Sequence, residues 1–423
     1  MTKMSSDVQL RIVCIFIMSS VLGGIADSAD RTPYWPQFHG PNRDNISTED
    51  GLLNEWPENG PSLIWTAKGL GEGYSSISIA DGRIYTAGNI GGDTVITALD
   101  LEGTIQWQIK NGTAWTGSYP GTRGTPTIDG DFLYHESPHG NVICLDAKSG
   151  EKIWEVNVLD KYHASNIQWA LSESLLVDGN YVICSPGGPQ VSMVALDKRT
   201  GAVAWTAPST DELSGYTSAI LFEHGGLRIV TTLTSKSIIG VNADNGELLW
   251  RVGHGSDLPQ SAVMPLFHDG HLLIITLNWG TVKWKVLVSG QEASIEEVWH
   301  NEEFSNHHGG VVMAKGNIYG WSASRHGRKW VCLDWETGEI EHMGTDVERG
   351  SSTYADGLLY ILGAKKGEMA LVQPTESGFE LLSLFNIPEG GEGPSWAHPV
   401  VAGGHLYVRH GTFLYKYDVR GSN

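Results

Sequence analysis

A chain of 423 residues can fold as one closed repeat structure or as two or three ordinary domains. Its 28 basic and 48 acidic residues give a formal charge of −20, which repels phosphate backbones and leaves no basic patch for anionic lipid, so nucleic-acid binding is excluded. Gly at 53 positions, 16 Trp and only 18% charged residues together point to many short strands joined by tight turns.

The first 26 residues have the form of a secretory signal peptide. Lys3 and Arg11 precede a short apolar run, 12–22, and then small residues up to Ala26. The run is too short for a good membrane span, so no transmembrane segment is expected after removal of the signal. The mature chain would start near Asp27 with a net charge of −21, in the periplasm or outside the cell. Retention of the segment as an anchor is the alternative. Cys144, Cys184 and Cys332 remain in that mature chain. They sit in apolar strands and read as buried small hydrophobes, since no CxxC or adjacent pair is present.

Residues 27–60 form a lead-in. The stretch Tyr34-Trp-Pro-Gln-Phe-His-Gly-Pro-Asn42 mixes turn residues with three aromatics and is expected to pack along the outside or one face of the body. Residues 61–423 then carry a repeat. Ala98-Leu-Asp-Leu-Glu-Gly-Thr-Ile-Gln-Trp107, Val142-Ile-Cys-Leu-Asp-Ala-Lys-Ser-Gly-Glu-Lys-Ile-Trp154 and Ala195-Leu-Asp-Lys-Arg-Thr-Gly-Ala-Val-Ala-Trp205 each read as strand, tight turn and strand. Upstream of each lies a hydrophobic-Asp-Gly hairpin, such as Asp81-Gly82, Asp129-Gly130 or Asp178-Gly179. Four-run units occupy 74–107, 123–154, 169–205, 216–250, 261–299, 307–341 and 351–385. Unit five lacks the Leu-Asp-x-x-x-Gly turn, unit six closes near Ile340 without an aromatic, and unit seven closes on Phe385. The last unit, 396–419, has three strands. The orphan strand at Leu63–Trp65 supplies its fourth. Periods of about 40–50 residues with four strands each mean an all-β, eight-bladed β-propeller of four-stranded antiparallel blades, its last blade closed by an N-terminal strand.

The unit Ala-Leu-Asp-x-x-x-Gly-x-x-x-Trp, as at 195–205, resembles the repeat of the pyrroloquinoline quinone (PQQ) dehydrogenase superfamily. In that superfamily the repeat Trp docks against the neighbouring blade, so the resemblance implies a docking role for Trp65, Trp107, Trp154, Trp205, Trp250 and Trp299. The lead-in Trp35-Pro-Gln-Phe-His-Gly-Pro41 resembles that of exported PQQ-like propellers. More loosely, the chain resembles the BamB outer-membrane assembly scaffolds. The dehydrogenases use PQQ with Ca²⁺ held by Glu and Asn, an Asp base and a vicinal disulfide, whereas this chain has no adjacent Cys pair.

In a propeller the links entering the innermost strands rim one end of the axis, the default place for a ligand. Those links supply Trp115, Tyr119, Arg123, Gln168, Trp169, Glu173, Tyr216, His307, His308, Trp396 and His398. Trp169 and Trp396 read as stacking platforms or as packing between blades. Arg123 reads as an anion clamp or as the partner of a blade Asp. Glu173 reads as a calcium ligand or base, or as a paired carboxylate. His307, His308 and His398 could ligate a metal. Adjacent strand residues face opposite ways, however, so no metal site is assigned. Asn45 and Asn111 begin N-x-Ser/Thr triplets. The sequence thus leaves two readings open. One is a monomeric exported module that binds a small molecule, a carbohydrate or another exported protein at its funnel. The other is a PQQ-dependent dehydrogenase of an alcohol or sugar.

Overall fold

The structure, a computed structural model, describes residues 32–256, 262–324, 328–344, 347–365, 367–375, 378–388 and 390–421. The predicted signal peptide and residues 27–31 of the lead-in lie outside this set. The described residues form eight four-stranded antiparallel sheets, each built from strands consecutive in sequence except one. That one joins the N-terminal strand Ser62–Lys68 to Phe413–Asp418, pairing Ser62 with Asp418 and Lys68 with Phe413 and shifting register between Leu63 and Trp65. The predicted eight-bladed propeller and its head-to-tail closure are therefore what the chain adopts. One short helix, Val158–Tyr162, follows the second blade.

The repeated turn has a local cause. In Asp146 to Gly150 the Asp carboxylate accepts the Ser149 N–H at 2.7 Å, and the Gly150 N–H donates to the Asp146 carbonyl at 2.8 Å. The same Asx geometry recurs at Asp197 and Asp334, and a turn one residue shorter uses Asp100, whose carboxylate accepts the Glu102 and Thr104 N–H groups. Gly at the end of the turn takes the left-handed conformation and presents a bare face. A ring from the preceding blade lies on that face: Trp65 on Gly103, Trp107 on Gly150, Trp154 on Gly201, Trp205 on Gly246 and Trp299 on Gly338. A Cβ on any of these glycines would come within 2.5–2.9 Å of the ring system. Each of the five indoles also donates its N–H to a carbonyl of the same turn, at 2.9–3.2 Å. Phe385 continues the series on Gly60, so a lead-in turn supplies the glycine for which blade eight has no turn of its own.

Trp250 departs from the series. The next blade pairs the ten-residue strands Gly280–Ser289 and Glu292–Asn301 and has no such turn. The Trp250 N–H finds no partner among the described residues, and its ring lies against Gly240 of its own blade. This seam is apolar instead, with Phe222 stacked on Phe267 at 4.0 Å and Val288 closing on Gly225.

Residues 35–47 of the lead-in run along the innermost strands, whereas its end reaches the outermost strand of blade seven, where the Trp56 backbone N–H donates to the Ser383 hydroxyl at 2.7 Å and Gly60 meets Phe385. Trp35 pairs with Ile79, and the Pro36 carbonyl accepts the Ile128 N–H. Arg43 donates to the Ser174 and Leu175 carbonyls. Asn45 bonds the Ser352 carbonyl, Ile46 bridges Tyr354, and the Ser47 hydroxyl donates to Val401. These residues touch blades one, two, three, seven and eight, so the segment fills the axis. Further on, Glu49 accepts the Gly403 and Gly404 N–H groups at 2.8 and 3.0 Å. Asn45 and Asn111 are both buried, their amides hydrogen-bonded within the body, and neither presents a glycosylation acceptor to solvent.

Candidate functional site: an aromatic funnel over the axial segment

The links into the innermost strands are held by a belt of hydroxyls. The Ser76 N–H donates to the Thr125 hydroxyl at 3.0 Å, Thr125 N–H to Ser174 at 2.9 Å, and Ser174 N–H to Ser218 at 2.8 Å. Each link thereby fixes the next, and larger side chains beside the belt project over the axis. They enclose a cavity of about 240 Å³ whose floor includes Phe38 of the lead-in.

Trp396 is the centre of the wall. Its ring lies 4.9 Å from Tyr74, 4.9 Å from Tyr119 and 4.4 Å from His308. Across the opening, Trp169 packs at 5.8 Å on Tyr216, whose hydroxyl accepts the Trp169 backbone N–H at 3.0 Å. Arg123 lies 5.5 Å over the Tyr74 ring and donates to the Gly121 and Tyr119 carbonyls at 3.0 and 2.8 Å. Burial lowers its pKa from the ordinary value. Arg349 also lines the cavity. Among the described residues it makes no side-chain hydrogen bond, and its Nε is shielded from solvent without a partner. The described lining contains two guanidiniums and no carboxylate.

Histidines form the base. His39 of the lead-in meets His398 at 3.1 Å, and His398 meets the His308 carbonyl at 3.2 Å. Burial lowers all of them: His398 to about 4, His308 and His39 well below their ordinary value, and His307 less so, with Arg349 adding to the effect. They are neutral at pH 7. Among the described residues no cluster of three or more His, Cys, Asp or Glu is arranged to hold a metal ion.

Of the residues picked from sequence, Arg123, Trp169, Tyr216, His307, His308, Trp396 and His398 all line this cavity. Trp115 does not. It packs toward His139 and its carbonyl accepts the Asn89 amide. Gln168 is exposed outside the lining. Glu173 is buried and turned away, its carboxylate accepting the Ser185 N–H at 2.8 Å. Burial, opposed by that bond and by Arg43, raises its pKa to about 7. Glu136 beside it is also buried, finds no hydrogen-bond partner among the described residues, and is raised well above its ordinary value by burial and by Glu173. Sequence reasoning missed Arg349, Tyr74, Phe38 and His39. The Ser/Thr belt was a readable signal, because Ser76, Thr125, Ser174 and Ser218 stand at equivalent places before inner strands.

Fold and funnel define the class: an eight-bladed propeller of PQQ-like repeats. The family model for outer membrane protein assembly factor BamB matches residues 45–185 and 92–342, and the chain belongs to that family. It is similar to BamB of Bordetella pertussis, 29% identical over 42% of this chain and 45% of that protein. It is also similar to methanol dehydrogenase (cytochrome c) subunit 1 of Methylorubrum extorquens, 25% identical over 55% of this chain and 39% of that one. The chain thus spans less than half the length of these curated relatives. Among solved structures, BamB of Moraxella catarrhalis superposes with a TM-score of 0.62 at 15% identity, over 85% of this chain and 99% of that one. Quinohemoprotein alcohol dehydrogenase of Comamonas testosteroni gives 0.67 at 13% identity, over 93% and 81%.

Proposed function

We propose that this chain is an exported, monomeric binding module, periplasmic or secreted, that holds a small cyclic ligand in its axial funnel by ring stacking. One observation carries the reading: Trp396 stands among Tyr74, Tyr119 and His308 in a lining that includes Phe38 of the lead-in, with two guanidiniums and no carboxylate among the described residues. A carbohydrate ring suits such walls. PQQ with Ca²⁺ suits them only in part. A flat ring system bearing acid groups would be met by the aromatic walls, Arg123 and Arg349. No described Asp or Glu lines the cavity to hold Ca²⁺ or to take a substrate proton, and the Glu173 carboxylate is turned onto Ser185 of its own blade. The five seam tryptophans, in this reading, have the docking role of their superfamily.

The alternative is a PQQ-dependent alcohol or sugar dehydrogenase, favoured by the dehydrogenases among the relatives. A protein partner at the funnel is favoured by membership of the assembly-factor family.

Tryptophan fluorescence of the full chain, titrated with PQQ with and without Ca²⁺ and with neutral and acidic oligosaccharides, tests the reading. Saturable binding of a ring ligand, weakened at least about tenfold by Trp396→Ala, is the expected result. Folded protein that binds none of these overturns it. Dye reduction by alcohols in the presence of PQQ and Ca²⁺ would establish the dehydrogenase instead.

A further inference from the structure

Beside the funnel lies a second cavity of about 250 Å³, between blades five, six and seven. The two share His307, His308 and Arg349 as a common wall. The side cavity adds Asn278, Asn306, Trp321 and Arg328. Asn306 is fixed there, its amide donating to the Gly310 and Trp321 carbonyls at 2.8 and 3.2 Å. No carboxylate appears in the described lining. Two guanidiniums thus converge on one pocket of a protein with a net charge of −20.

Arg349 is the residue that needs explaining. It is half-buried, with no described hydrogen bond or ion pair. A guanidinium drawn partly out of water without a partner is costly, and an oxyanion in its fork removes that cost. Neutral His307 and His308 beside it add ring nitrogens that can bond hydroxyls. One indole face, two amides and two guanidiniums are what a hydroxylated ring bearing an acid group requires. A flat aromatic ligand would instead need parallel walls on both sides.

We propose that the side cavity is the acid subsite of a two-compartment carbohydrate site. One ring of an acidic oligosaccharide lies against Trp321, with its carboxylate or sulfate on Arg349 and Arg328. The neighbouring ring occupies the funnel against Trp396. The proposal rests on the ring-binding reading of the funnel and names the class of ligand it takes.

Calorimetry of the full chain with tetragalacturonate, its methyl ester, a neutral cello-oligosaccharide, PQQ and inorganic sulfate tests this. Tetragalacturonate is expected to bind most tightly, to lose at least about tenfold in affinity on esterification or in Arg349→Gln, and to weaken with salt. Arg349→Lys should restore part of the loss, because it keeps the charge without the fork. Near-ultraviolet circular dichroism shows whether each variant is folded. Trp396→Ala should weaken neutral and acidic ligands alike, whereas Arg349→Gln should weaken only the acid. If Trp396→Ala acts and folded Arg349→Gln does not, the funnel stands and the acid subsite falls. If neither acts, both fall. Binding of sulfate as tightly as the oligomer, or Arg349-dependent binding of PQQ without any uronate binding, also overturns the carbohydrate subsite.

Discussion

Neighbouring blades are joined in two ways, at the rim and at the axis. At the rim a single contact is repeated: an indole from one blade lies on a turn glycine of the next and donates to a carbonyl of that turn. At the axis each contact occurs once, because one segment, 35–47, meets the blades at different depths through different residues. The rim can lose one contact and keep the others. The axial segment has no second copy of any contact it makes.

The largest effect should come from the rim. Trp205 is buried, fills the seam between blades three and four, and donates to the Ala243 carbonyl at 2.9 Å. Trp205→Ala leaves a cavity the size of an indole and is expected to cost about 4 kcal/mol, read as a shift of the urea midpoint. A cost below about 1 kcal/mol would show that the seam does not carry load and would remove the contrast with the axis.

Next is the axis. The Arg43 guanidinium is buried, donates at 2.8 and 3.2 Å to the Ser174 and Leu175 carbonyls just before an inner strand, and its charge opposes the rise of the Glu173 pKa. Arg43→Met keeps the length of the side chain but leaves those acceptors and the acid pair without it. A loss of about 3 kcal/mol is expected, with sharper proteolysis of the lead-in. Unchanged stability and protease resistance would mean that the segment is held without this residue.

The difference between rim and axis also explains what the sequence disclosed. The turns at Asp100, Asp146, Asp197 and Asp334 use the same local chemistry each time, so the strands on either side and the number of blades could be counted. The departure at Trp250 was visible as a missing turn, but its consequence, an indole without an acceptor, depended on where blade five sits. The axial segment gave no period to follow. Tyr34 to Asn42 read as an aromatic stretch packed along the outside or one face of the body, and only long-range pairing places Trp35 and His39 at the axis. The funnel was legible in part because its position follows from the topology. Arg123, Trp169 and Trp396 were found, whereas Arg349 was not, since nothing local marks a cation that lacks a partner. Trp115 and Glu173 were misplaced because a link can turn its side chains toward the axis or away from it.

The buried acids give the third effect, with a sign opposite to that of the histidines. Glu173 is raised to about 7 and Glu136 above its ordinary range, so between pH 4.5 and about 7 the folded protein holds more protons here than the unfolded chain does. Stability contributed by these groups is therefore complete below pH 4.5 and is lost as pH rises toward 7. His39 and His398 are lowered, His398 to about 4, so their contribution is present above pH 6.5 and lost as pH falls toward 4. Glu136→Gln should stabilise by about 2 kcal/mol at pH 8 and leave stability at pH 4.5 nearly unchanged. Equal shifts at both pH values would show that the Glu136 carboxyl titrates alike in the folded and the unfolded chain.

The smallest effect isolates the hydrogen bond at the rim. Phe in place of Trp keeps most of the apolar contact and removes the N–H. At Trp205 the change strips a buried carbonyl of its donor. At Trp250 it strips nothing, because that N–H has no partner among the described residues and is itself buried. Both variants lose part of a ring, so that loss largely cancels when they are compared. Trp205→Phe is therefore expected to cost about 1 kcal/mol more than Trp250→Phe, measured as paired urea midpoints under one condition. Equal costs would mean that the turn carbonyl adds nothing to the seam, and that the rim is held by stacking on glycine alone.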